Sequence, residues 1–145
     1  MKMQNEIVDA VIGRLKELFE NEYPVHAGQA EQGTKSPCFF VGISKAETQP
    51  MLGRRCLRTW ELKIQFQPGE SGEPGSRQMN LISDRLLDEM EDIVLTDGTL
   101  MRGTNRSGEI SEGILTFLIR FGGAFVSADT PADPMVRKEL KGEIP

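Results

Sequence analysis

The chain has 145 residues, with 38% hydrophobic and 27% charged side chains and a formal net charge of -5. That is enough chain to bury one real core, and the balance excludes a globally disordered protein. An acidic excess also argues against a protein that coats nucleic acid, since phosphate binding needs clustered Lys and Arg.

The N-terminal run "MKMQNEIVDAV" is polar and lacks the apolar stretch of a signal peptide. No apolar run approaches the roughly 18 residues that span a bilayer. The expectation is a protein folded in a cytoplasm, without a membrane partner, its Cys38 and Cys56 kept as reduced thiols. Ile7, Val8, Val11, Ile12, Leu15, Leu18 and Phe19 recur with helical spacing. They predict an amphipathic helix from about Asn5 to just before "EYPVHAG". "PVHA" reads as a brief strand and "PCFFVGIS" as an apolar one that starts after Pro37. Residues 45–55 read as a loop. In "CLRTWELKIQFQ", Trp60, Leu62, Ile64 and Phe66 alternate with Thr59, Glu61, Lys63 and Gln65, the mark of a half-buried strand.

"PGESGEPGS", residues 68–76, has the composition of a mobile loop. A second helix follows, with Met79, Ile82, Leu86, Met90 and Ile93 as its inward stripe, and "TDGT" ends it. The stretch from Leu100 to Val126 reads as two antiparallel strands. In the second, Leu115, Phe117, Ile119 and Phe121 share one face, while Ile114, Thr116, Leu118 and Arg120 share the other. That second face is too apolar to be fully solvated. The tail carries Asp133-Pro134, an N-cap and first-turn proline pair, which predicts a short helix over about 134–141. A helix so short is marginal alone, so Met135, Val136 and Leu140 are expected to dock on the parent domain or a neighbour.

This order predicts a two-layer α+β domain over residues 1–126, with a mainly antiparallel, mixed sheet and both helices on one face. Residues 127–145 form a C-terminal extension. The expected core is Ile7, Val11, Leu15, Leu18, Cys38, Phe40, Trp60, Leu62, Ile64, Phe66, Ile82, Leu86, Met90, Phe117 and Ile119.

The chemistry-bearing residues are sparse. Cys38 precedes two phenylalanines in an apolar strand, which suits a packed residue better than a nucleophile. Cys56 shares the parity of Trp60 and reads the same way. His26 is the sole histidine, so any Cys–His or Ser–His scheme depends on it. Neither glycine-rich segment has phosphate-loop spacing, and Asp84 with Asp88 lacks the further ligands of a metal site. No cofactor, metal or catalytic residue is expected. Arg54, Arg55 and Arg58, with Arg102 and Arg106, are expected to serve subunit contacts, and Leu118 and Arg120 to join them.

"EQGTKSPCFFVGI", "LGRRCLRTWELKIQFQP", a Leu-rich helix and "ISEGILTFLIRF", in that order, resemble the tail terminator proteins of tailed phages, prophages and phage-like contractile particles. The resemblance runs from the first helix to about Val126. It implies a structural subunit, not an enzyme, that forms a hexameric ring on the head-proximal end of a tail tube. The ring would end tube polymerisation and offer the head-joining surface. Implied partners are further copies of the chain, the tube protein, the sheath and the head–tail connector. DNA passes through such a ring without sequence-specific recognition. The location implied is the bacterial host cytoplasm during assembly, then the virion tail. The alternatives are a head–tail connector or tail completion protein, and a small hydrolase using Cys38 and His26.

Overall fold

The computed structural model describes residues 3–28 and 36–126. They form two helices and a six-stranded sheet ordered β1-β2-β3-β6-β5-β4. Helix α1, Met3–Leu18, buries Ile7, Val11, Leu15 and Leu18, one side chain per turn along a single stripe. Its C-terminus closes through paired backbone bonds, Asn21 N–H to Lys16 O at 2.9 Å and Glu20 N–H to Glu17 O at 3.4 Å. Glu20 and Asn21 take left-handed backbone angles to make this turn, a role that glycine usually fills.

Strand β1, Val25–Ala27, lies parallel to β2, Cys38–Pro50. Strand β2 pairs antiparallel with β3, Arg55–Gln67, through to Pro50 opposite Cys56. The expected loop over residues 45–55 is therefore mostly strand, with the turn confined to residues 51–54. The polar run from Ser44 to Gln49 is exposed on both faces, so it carries no apolar alternation to announce a strand. Met51 N–H to Arg55 O at 3.0 Å closes the turn, and Gly53 supplies the positive φ it needs.

Helix α2, Gly72–Glu89, begins inside the segment read as a loop and buries Gly75, Met79, Ile82 and Leu86. It ends before Met90, and Ile93 belongs to strand β4, Asp92–Val94. The stripe from Met79 to Ile93 keeps helical spacing across the break, so periodicity alone could not reveal it. Strands β5, Leu100–Ser111, and β6, Ile114–Val126, form a hairpin whose two-residue turn, Glu112-Gly113, has positive φ at both positions. That backbone matches the twist of the flanking strands.

Both helices pack on one sheet face, against Phe39, Val41, Trp60, Leu62, Ile64, Phe66, Leu115, Phe117, Ile119 and Phe121. This is the two-layer α+β architecture, its sheet mixed through the single parallel pair. Aromatic rings cluster at one end, with Phe39 and Phe66 centroids 4.9 Å apart and Tyr23 edge-on to both. Cys38 and Phe40 are buried as well, but on the opposite face of β2, so they stand outside this cluster. The apolar run of β2 fills both its faces there, as a covered strand does. Cys56 is only half-buried, because the hairpin has by then run past the helices. Met135, Val136, Leu140 and the short helix expected around them lie outside the described residues.

Candidate assembly surface

Of the residues that could do chemistry, Cys38 is enclosed and His26 is exposed. Cys38 is fully buried, its Sγ 3.8 Å from Gln67 Oε1, and burial pushes the thiol above its ordinary pKa. A nucleophilic thiol needs the opposite shift. His26 is exposed and its ring lies 5.3 Å from that of Phe40, directly opposite it in the parallel pair. Among the described residues no three His, Cys, Asp or Glu side chains are placed to hold a metal ion. No helix among the described residues is long and apolar enough to cross a membrane.

The sheet face away from the helices has a different character. Strand register sets Lys45 beside Glu61, Glu61 beside Arg120, and Arg120 beside Thr104, a row that crosses four strands. The next row holds Gly42, Lys63, Leu118 and Ser107. Glu61, Lys63, Leu118 and Arg120 are half-buried. Neighbouring opposite charges on adjacent strands favour one another, and Ser44, at the β-bulge in β2, donates to Glu61 Oε1 at 2.8 Å. Leu118 is thus an apolar side chain set in a polar lattice. Lys45, Glu61 and Lys63 were not among the contact residues expected from the sequence. Alternation in β3 puts the last two on one face, but only register brings Lys45 and Arg120 alongside.

The expected arginines divide between two places. Arg54 lies in the β2–β3 turn, Arg55 opens β3, and Arg58 lies half-buried further along that strand, on its helix-facing side. Arg102 and Arg106 lie on β5 and serve their own chain. Arg102 is 4.0 Å from Asp92, while Arg106 reaches Glu91 at 3.9 Å and the Met90 carbonyl at 3.4 Å. These contacts link the end of α2 and β4 to β5. Gly103 N–H joins them, donating to Glu91 O at 2.7 Å.

The β2–β3 hairpin runs beyond the helices. Residues 46–55 are exposed, and at the tip Leu52 is 93% exposed and Met51 44%. A groove of about 580 Å³ lies elsewhere, between the α1 stripe of Ala10, Gly13, Arg14 and Glu17 and the segment from Glu89 to Val94. Sequence reasoning missed this groove, because no local pattern signals a gap between a helix and an edge strand. Another, of about 460 Å³, lies between the start of α2 and the β5–β6 turn, with Met79 and Ile110 in its walls.

No curated protein matches the chain in sequence. Among solved structures, one that is 11% identical superposes with a TM-score of 0.39, covering 88% of this chain and 98% of its own, too distant a likeness to support any inference. The family model for phage tail terminator proteins matches residues 6–129. That match takes in both helices and all six strands, and the chain belongs to the phage tail terminator family, with a structural role in the phage tail.

Proposed function

We propose that the protein assembles into a hexameric ring on the head-proximal end of the tail tube, ends tube growth there and offers the surface that the head complex joins. The observation that carries this reading is the family match over residues 6–129. The mechanism is geometric. A head-to-tail interface repeated around an axis closes when the rotation between copies divides the circle. One face of the ring then matches the tube end, and the other lacks the tube's continuation surface. Residues 1–126 form the ring body and residues 127–145 an extension that docks on a neighbour through Met135, Val136 and Leu140. Contacts come from the β2–β3 hairpin with Arg54, Arg55 and Arg58, from residues 101–112 with Arg102 and Arg106, and from the outer face around Leu118 and Arg120. The chain works without a cofactor, in the host cytoplasm and then in the virion tail, and DNA passes through the ring unread. Its other partners are the tube protein, the sheath and the head–tail connector.

Electron microscopy of particles made without the protein tests the role. Overlong tubes or sheaths are expected. Tails of normal length that fail to join heads would overturn the reading in favour of a connector or completion protein. Native mass spectrometry of a chain truncated after Ser127 tests the extension, and an unchanged ring would remove it from the interface.

A further inference from the structure

We infer that the tip of the β2–β3 hairpin of one copy seats in the groove between α1 and β4 of the next. The inference rests on the self-association proposed above and names its contact. Three features of the tip suit an anchor. Leu52 and Met51 are apolar and exposed, and the turn that carries them is fixed by the Met51–Arg55 backbone bond and by Gly53. Arg54 and Arg55 stand exposed at the turn, in a chain whose net charge is -5. Methionine and arginine are both enriched at protein interfaces, and a preset turn loses little freedom on docking.

The groove is complementary in shape and in charge. Gly13 leaves open space on its helical wall, with no atom of the described residues beyond its own helix backbone and chain neighbours within 4 Å of where a Cβ would stand, and Ala10 beside it is small. Val94, 60% exposed, gives the facing wall an apolar surface. Glu17, Glu89, Glu91 and Asp92 line the opening with Arg14, and each acid is paired within its own chain, to Arg14, Arg85, Arg106 and Arg102 in turn. In each pairing at least one partner is exposed, with Arg14–Glu17 at 3.4 Å, Arg106–Glu91 at 3.9 Å and Arg102–Asp92 at 4.0 Å. Surface pairs of this kind contribute little each, so the carboxylates can accept an incoming arginine. Among the described residues strand β4 pairs on one side only, with β5, so its other edge adds backbone groups that an arriving strand end can use. Tip and groove are different parts of the surface, so the contact is heterologous, as a ring requires.

The test uses two full-length variants at exposed positions. Leu52→Glu removes the apolar anchor and puts an acid into an acidic groove. Gly13→Arg fills the groove and reverses its charge. Far-UV circular dichroism confirms that each folds, and native mass spectrometry reads assembly. Each variant alone is expected to be monomeric at concentrations at least tenfold above those at which the natural chain assembles. An equal mixture is expected to give dimers and nothing larger, because an intact tip and an intact groove meet at one seam only. Assembly by either variant at the natural concentration would overturn the inference and leave self-association standing. A natural chain that stays monomeric at every concentration, alone and on tube ends, would overturn both. Variants that assemble normally but no longer bind tube ends would assign the tip to the tube protein instead.

Discussion

Gly75 and Gly13 are both helical glycines, and exchanging each for alanine is expected to move stability in opposite directions. In a helix interior, Gly→Ala gains up to about 1 kcal/mol from propensity and reduced unfolded-chain freedom. Gly13, on the exposed side of α1, has nothing near it, so Gly13→Ala is expected to stabilise by about 0.5–1 kcal/mol. Gly75 stands in the first turn of α2, where an added Cβ would lie 2.0 Å from Glu70 O and 3.0 Å from Glu70 C. Backbone cannot swing aside as a flexible side chain does. The preceding segment would have to lift, with Gly69 N–H leaving Gln78 Oε1, to which it donates at 3.1 Å. Overpacking costs about 1–3 kcal/mol and a lost hydrogen bond about 0.5–1.5 kcal/mol. Set against the propensity gain, Gly75→Ala is expected to destabilise by about 1–3 kcal/mol, or several degrees in Tm. Urea unfolding followed by far-UV circular dichroism gives both values, provided the slope stays constant. If Gly75→Ala raises the midpoint as Gly13→Ala does, residues 68–70 do not lie across the start of α2.

Two further perturbations probe the layering. Leu86→Ala, at a fully buried position of α2, is expected to cost about 2–5 kcal/mol, while Leu87→Ala on the outer side stays within about 0.5 kcal/mol; equal losses in the same melts would mean the helix is rotated on the sheet. Thiol labelling of the native protein at about pH 7 should modify half-buried Cys56 and leave Cys38 untouched until unfolding. Because burial raises the folded pKa of Cys38, its contribution is complete below the unfolded thiol pKa and is lost as pH rises through the folded value. Cys38→Ala should therefore flatten the fall in stability above about pH 8.5, where an unfolded thiol ionises, and an unchanged slope would show that the thiol is not desolvated.

The layers of the fold were legible wherever burial is one-sided. Helix α1 and the alternation in β3 and β6 announce which residues face inward, since a stripe or a parity is all that one covered face requires. The sequence misled where that condition fails. Cys38 and Phe40 belong to a strand that is buried on both faces, so composition shows their burial but not their side. Residues 45–50 are exposed on both faces, so a strand reads as a loop. The start of α2 looked like a linker because Gly72, Pro74 and Gly75 are poor helix formers. Pro74 is tolerated in a first turn, and Gly75 is required by the backbone laid across it. The acidic Gly/Pro segment is thus half turn and half helix, shaped by that close approach.

The proposed assembly surface was harder to read, for a reason that follows from how sheets are built. A catalytic or metal site often leaves a spacing in the sequence, because one helix or one loop supplies several of its groups. The outer row of Lys45, Glu61, Arg120 and Thr104 takes one residue from each of four strands. Its members are brought together by register alone, and register depends on the bulge between Ile43 and Lys45 and the shift between Thr104 and Ser107. Sliding one strand by a single residue would turn its whole polar row inward. The apolar inner row of Val41, Ile64 and Phe117 forbids that slip, so the core that reveals the layers also fixes the charge pattern on the far side. In this chain the charge pattern of the outer face is therefore a consequence of core packing. Substitutions that loosen the inner rows are expected to disturb assembly before they unfold the monomer.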